Sequence, residues 1–193
     1  GGREAVEAIC DHPEIKAVSF VGSSKVARSV YTRASAAGKR ALCLGGAKNH
    51  TILMPDAAPD FASKGIVNSA MGCAGQRCMA VSNLVAVGDP CQPIIDRMIE
   101  YAESIRLGEN MGAIINRNSY QRILDYIEQA EKDGARILVD GRGLHPAGLE
   151  DGFWVGPTLI DGVRPEMSCA QDEIFGPVLS ILRVSSLAEA VAI

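Results

Sequence analysis

The sequence predicts an α/β protein. Strands and helices alternate along all 193 residues, and a strand–helix–strand unit of about 30 residues near the start implies a parallel sheet. The composition, 47% hydrophobic and 22% charged, is that of an ordinary globular chain. The formal net charge of −4 is spread among interspersed acids and bases. No basic stripe favours nucleic acid, and no block of like charge marks a tail. No apolar run reaches the roughly 18 residues of a membrane span.

The elements follow in order. "KAVSFVG" (16–22) is a short apolar run closed by glycine, and so a buried strand. Ser23 and Ser24 then cap a helix with apolar positions Val26, Ala27, Val30, Tyr31 and Ala34, ended by Gly38. "KRALCL" (39–44) completes the unit. A seam is expected near Gly45-Gly46, dividing 1–44 from 45–193. "HTILM" (50–54) is the next strand, closed by Pro55-Asp56, and residues 60–71 form a helix with Phe61, Ile66, Val67 and Ala70 on its apolar side. "CMAVSNLVAVG" (78–88) reads as a strand that begins at the cysteine.

Ile94, Ile95, Met98, Ile99, Ala102 and Ile105 mark an amphipathic helix that ends at Gly108. Ile123, Leu124, Ile127 and Ala130 mark another, capped by Asn118 and stopped at Gly134. "ARILVDG" (135–141) is a strand, 142–152 a loop, and "FWVGPTLIDGV" and "PVLSILRV" are further strands. Ser186 and Glu189 form a capping box for a last helix of about seven residues. That short helix, and a start at Gly1-Gly2 with no leader segment, are what a piece of a longer chain is expected to show.

Six cysteines stand at 10, 43, 73, 78, 91 and 169, with neither a CxxC pair nor zinc spacing. No metal site is expected, and with no secretory signal a reducing compartment is. Cys73, inside a helix, and Cys43, inside a strand, read as core. Cys78 carries two readings. It is a small buried hydrophobe, or a nucleophile that opens a strand beside Arg77, whose charge favours the thiolate.

Two other stretches carry chemistry. Gly22-Ser23 sits at a strand-to-helix turn, where free backbone N–H groups can take a phosphate or where Ser23 is an ordinary cap. "QDEIFGPV" (171–178) sets Asp172 and Glu173 before a Gly-Pro turn, as a site or as a solvated loop.

Four ordered motifs, "FVGSS", "LGGAKNH", "GQRCMA" and "EIFGPV", with "VGPTLI" before the last, resemble the aldehyde dehydrogenase superfamily. "GGAKNHTILMPDA" and "AGQRCMA" are most similar to its methylmalonate-semialdehyde, CoA-acylating branch. The resemblance implies the end of a Rossmann-like NAD domain (1–44) followed by most of an α/β catalytic domain (45–193). It implies Cys78 as the nucleophile that carries a thioester, with the Cys78 N–H as one oxyanion donor. Gly22 and Ser23 would meet the NAD pyrophosphate, Glu173 the nicotinamide ribose, and Phe175 would pack near the nicotinamide.

Hydrolytic members place a glutamate four residues before the motif lysine; here that residue is Leu44, before Lys48. Leucine cannot activate water, so the thioester is expected to wait for coenzyme A. The expected reaction takes malonate or methylmalonate semialdehyde to acetyl-CoA or propionyl-CoA with loss of carbon dioxide, in the manner of valine catabolism. Arg77 either pairs with the substrate carboxylate or packs the Cys78 turn. A hydrolytic dehydrogenase giving a free acid, or an inactive catalytic-domain piece or scaffold, stand as alternatives.

Two departures are local. Ala27 replaces a common glycine, and "LGENMGAI" (107–114) is about ten residues short of the family's usual loop there. The family's asparagine oxyanion donor and its ribose-binding lysine are not among the 193 residues, which alone are expected to be inactive. The parent is expected to be a homodimer or tetramer, in the cytoplasm or mitochondrial matrix, and to bind neither nucleic acid nor membrane.

Overall fold

The computed structural model describes residues 2–193. The chain divides into two compact units, one reaching to Ala47 and one over Lys48–Ile193.

The first unit contains α1 (Arg3–Asp11), β1 (Ala17–Val21), α2 (Ser24–Ala36) and β2 (Arg40–Leu44). The two strands pair in parallel, Ala17 opposite Arg40 through Val21 opposite Leu44. Period-two alternation turns Val18, Phe20, Ala41 and Cys43 toward a small core of Cys10, Val30 and Ala34. Val21, Leu42 and Leu44 lie on the opposite, exposed face. Two apolar positions assigned to the buried side of α2 are corrected: Val26 and Tyr31 are exposed, because Ala27, Val30 and Ala34 already fill the narrow stripe that meets the strands. α1 did not emerge from the sequence pattern; its one buried residue is Cys10.

The second unit is built on a five-stranded sheet in the order β3-β4-β7-β6-β5. β3 is Asn49–Leu53, β4 Val81–Val87, β5 Arg136–Val139, β6 Thr158–Asp161 and β7 Val178–Val184. β3, β4, β7 and β6 are parallel, as the βαβ pattern predicts. β5 departs from it, pairing antiparallel with β6 at the sheet edge. Residues 153–157, read as strand, are not; β6 begins at Thr158.

β4, β6 and β7 are buried at nearly every residue, as strands covered on both faces must be. The cover comes from α3 (Pro59–Met71), α4 (Gln92–Glu103), α5 (Arg117–Lys132), the single turn α6 (Ser168–Gln171) and α7 (Leu187–Ala192). The core they close includes Leu84, Ile95, Met98, Ile123, Ile127, Leu159 and Leu179.

Two local assignments change and one holds. Phe61 is 84% exposed, so the buried stripe of α3 is Ser63, Ile66, Val67 and Ala70. The cap of α5 is Asn116, whose side chain accepts from the Ser119 N–H at 2.9 Å, and not Asn118. In the final capping box Ser186 accepts from Glu189 N–H, while the Glu189 carboxylate takes the N–H of Ser185.

A charged cluster ties β6 to its two neighbours in the sheet. Asp161, 4% exposed, accepts from Arg183 on β7 and Arg136 on β5. Burial alone would raise the Asp161 carboxyl, but the two guanidinium groups outweigh it and hold its pKa below the usual carboxylate range. Among the described residues no helix is long and apolar enough to cross a membrane.

Candidate functional site

The candidate site grows from the junction between α3 and β4. The helix does not run smoothly into the strand. It breaks at Gly72, and Cys73, Ala74 and Gly75 follow with φ of 54°, 53° and 68°. Left-handed backbone costs a residue with a side chain about 1–2 kcal/mol, so two such residues in a row need outside support. Gln76 supplies it. Its backbone N–H and Nε2 both donate to the Cys73 carbonyl, Nε2 also donates to the Ala113 carbonyl, and Oε1 accepts from the Ile115 N–H at 2.9 Å.

The conformation has two consequences. Cys73 points outward and is exposed, correcting the core assignment that assumed a continuing helix. Cys78 does not open the strand; it lies in a turn closed by Ala80 N–H on Arg77 carbonyl (3.1 Å), and β4 starts at Val81. The Cys78 thiol is free and exposed.

Arg77 turns back onto α3. Its Nη2 donates to the carbonyls of Asn68 and Ser69 at 3.2 Å each; the Asn68 carbonyl also takes the Gly72 N–H, and the Ser69 carbonyl is one that the helix end leaves open. The guanidinium lies over Gly72, where a Cβ would overlap it.

The second loop, 171–178, meets the first through two glycines. A Cβ on Gly75 would overlap the carbonyl oxygen of Gly176. The missing side chain of Gly75 is what lets the two backbones touch, while a Cβ on Gly176 would overlap the Ile123 side chain behind it. Phe175, just before that contact, has φ 56° and is half-exposed. Glu173 is half-buried.

The loop is anchored at several points. Lys48 Nζ donates to the carbonyls of Cys169 and Asp172, both at 2.8 Å. Tyr126 donates to the Asp172 carboxylate, and Arg122 to the Ile174 carbonyl. Asn83 Nδ2 donates to the Ala170 carbonyl and lies 2.9 Å from His50 Nε2. Both contacts use amide hydrogens if the His50 proton sits on Nδ1, facing the Lys48 carbonyl. Asn83 Oδ1 is buried with no partner among the described residues.

Burial pushes the Lys48 amine down to about 8, with Cys169, Asp172 and Glu173 opposing the shift. The unfolded chain keeps this proton to about 10.5. Between the two values the unfolded state binds more protons, so this lysine adds stability as pH rises from about 8 to 10.5; below about 8 the buried charge opposes folding throughout. Thermal melts across pH 8 to 10 are therefore expected to rise more steeply for the wild type than for Lys48→Met. Parallel slopes would show that the amine is not depressed.

In the first unit, Gly22 donates its N–H to the Leu44 carbonyl at 3.2 Å, and a Cβ on it would come within 2.7 Å of the Phe20 ring. Ser23 is the cap residue of α2 by backbone, but its hydroxyl makes no capping bond. Ser24 holds the next loop instead, accepting from the Gly46 N–H at 3.1 Å. Leu44 ends β2 with an exposed side chain.

The whole chain, residues 1–193, matches the family model described as the aldehyde dehydrogenase family. The chain belongs to that family. It is 43% identical over 199 residues to the human methylmalonate-semialdehyde/malonate-semialdehyde dehydrogenase [acylating], mitochondrial, covering 100% of this chain and 37% of that protein. It is 46% identical to malonate-semialdehyde dehydrogenase 3 of Geobacillus kaustophilus, with 100% and 41% covered. A crystal structure of methylmalonate-semialdehyde dehydrogenase from Oceanimonas doudoroffii superposes with a TM-score of 0.94 at 44% identity, over 100% of this chain and 41% of that one. A Thermus 1-pyrroline-5-carboxylate dehydrogenase with bound NAD gives 0.85 at 32% identity, over 95% and 37%. The chain thus spans about two fifths of the length of the curated relatives it matches.

As an aldehyde dehydrogenase chain, it has the α/β architecture expected of it, and its second unit brings Cys78, Arg77, Glu173 and Phe175 onto two touching loops. Gly22 and Ser23 belong to the other unit. The sequence reading passed over Lys48, Asn49, Gln76 and Asn83 as site-building residues. A signal was present: an asparagine within the apolar run "VSNLVAV", and Lys-Asn-His at the mouth of a buried strand, are polar groups that must find buried partners.

Proposed function

We propose that this chain carries the catalytic cysteine of an NAD-dependent, CoA-acylating dehydrogenase that acts on malonate or methylmalonate semialdehyde. One observation carries the reading: Cys78 presents a free, exposed thiol from a braced turn that touches the Glu173–Phe175 loop. The relatives named above supply the substrate class.

The Cys78 thiolate attacks the aldehyde carbon and an Sγ–C bond forms. The electron pair moves to the carbonyl oxygen, where the Cys78 N–H, which has no acceptor among the described residues, can donate. Loss of hydride from that carbon re-forms the C=O and leaves a thioester on Cys78. The substrate carboxylate departs as carbon dioxide; the electron pair of the broken C–C bond passes into the thioester as an enolate, whose α-carbon takes a proton from water. The coenzyme A thiolate then takes the acyl group and restores the Cys78 thiolate.

The residues present fit a dinucleotide phosphate. Gly22 keeps the turn before α2 free of a side chain, and the Ser23 hydroxyl is not consumed by capping. NAD, when bound, supplies the hydride acceptor. Glu173 would hold its nicotinamide ribose and Phe175 would pack near the nicotinamide. The left-handed backbone at Phe175 fixes where that ring emerges. Arg77 has one further task in this scheme. Its Nη2 is engaged with α3, while Nε and Nη1 have no partner among the described residues and are free for the substrate carboxylate.

We also place the working enzyme in the cytoplasm or mitochondrial matrix, as a homodimer or tetramer.

The test uses the protein at its natural length with NAD and malonate semialdehyde, with and without coenzyme A. With Leu44 in place of a base, a burst of about one NADH per site is expected without coenzyme A, and steady turnover to acyl-CoA only with it. Steady turnover to a free acid without coenzyme A would overturn the acylating assignment.

A further inference from the structure

Asn49 lies at the start of β3, across the sheet from the turn that carries the nucleophile, and both hydrogens of its side-chain NH2 are committed to that turn. Nδ2 donates to the Cys78 carbonyl and to the Ala80 carbonyl, both at 2.8 Å. The Asn49 backbone is locked in return. Its N–H donates to Ser82 Oγ at 3.1 Å, and its carbonyl accepts from the same hydroxyl at 3.2 Å. One rigid donor therefore holds two carbonyls of a three-residue segment against a strand of the sheet.

The clamp reaches the reacting group through the geometry of the peptide bond. The Ala80 N–H donates to the Arg77 carbonyl at 3.1 Å. That carbonyl and the Cys78 N–H belong to the same planar trans peptide and point in opposite directions. Fixing Ala80 therefore fixes the Arg77 carbonyl, and with it the direction of the Cys78 N–H on the other side of the plane. Fixing the Cys78 carbonyl sets the remaining backbone torsion of the cysteine. We propose that Asn49 is a positioning residue that aims the Cys78 backbone N–H at the oxygen of the attacked carbonyl; this rests on the function proposed above.

Two reactions of the Cys78 thiol separate aiming from mere folding. Attack on 4-nitrophenyl acetate forms an Sγ–C bond at a carbonyl, passes through an oxyanion and expels 4-nitrophenolate. Displacement of iodide from iodoacetamide forms an Sγ–C bond at a methylene carbon with no oxyanion. In the protein at its natural length, Asn49→Asp keeps the shape and removes the donors. Asn49→Ser is too short to reach both carbonyls and serves as the second variant if the first does not fold. Rates are read at Cys78 by mass spectrometry.

The expected result is that acylation falls by about 10- to 100-fold, as small misplacements of reacting groups do, while alkylation stays within about threefold of wild type. Equal loss in both reactions, or no loss in either, overturns the proposal. So does failure of both variants to fold, which assigns Asn49 to folding alone. Neither reaction uses NAD, coenzyme A or a semialdehyde. A wild type that acylates normally but forms no NADH from the semialdehyde would sink the proposed function and leave the Asn49 test standing.

Discussion

Replacing Cys78 with alanine is expected to end steady NADH formation in the protein at its natural length, by on the order of 10⁶-fold, the scale on which loss of a covalent nucleophile is felt. No group beside it offers the same chemistry from the same place. The side chain is exposed and makes no hydrogen bond through its sulfur among the described residues, so its removal leaves no buried hole. Stability is expected to stay within about 0.5 kcal/mol. NAD binding, followed by titration, is expected to persist, because the residues assigned to the phosphate lie in the other unit. Retention of more than a few per cent of the rate would point to a different nucleophile. Cys73, the other exposed cysteine of the junction between α3 and β4, would be the first to examine.

Gly75→Ala is the second large effect, and it acts on both stability and rate. At φ 68° alanine loses about 1–2 kcal/mol to backbone strain alone. The new methyl group would also overlap the Gly176 carbonyl oxygen. That oxygen cannot withdraw freely. It accepts from the Val178 N–H at 2.8 Å, and Gly176 itself lies against Ile123 on α5. The two loops must part, and a loss of about 3 kcal/mol or more is expected in denaturant unfolding. Molecules that still fold are expected to react about 100-fold more slowly, since Cys78 and Glu173 sit on opposite sides of that contact. A variant with unchanged stability and turnover would mean that the loops are not held by this approach of backbones.

Much of this architecture was legible because its elements are strongly periodic. "VLSILRV" and "NLVAV" are apolar without alternation and became strands buried on both faces. The helix around Ile123 and Ile127 was visible from spacing, yet its cap was misplaced. Asn116 and Asn118 are both good capping residues two positions apart, and only the direction of the incoming chain selects between them. Phe61 looked like core because it is large and apolar, but Ser63, a small residue with a hydrogen bond to the Pro59 carbonyl, took the buried position.

The site was legible as motifs and not as geometry. Nothing local in "GCAGQRC" announces three successive left-handed residues, two of them with side chains. That conformation is imposed by Gln76 and by partners 37 to 39 residues away in sequence. The clamp at Asn49 likewise spans 29 to 31 residues.

The grip of Arg77 on the end of α3 bears on how this chain can change over generations. The guanidinium reaches two particular carbonyls, those of Asn68 and Ser69. Each residue of an α-helix advances the direction of its carbonyl by about 100° around the axis. A single codon gained or lost within the last turns of α3 would swing both carbonyls away from Arg77 and drag the Cys78 turn with them. Surface loops such as 142–152 can lengthen or shorten between lineages. The reading frame between Asn68 and Cys78 is instead expected to tolerate substitution but not insertion or deletion.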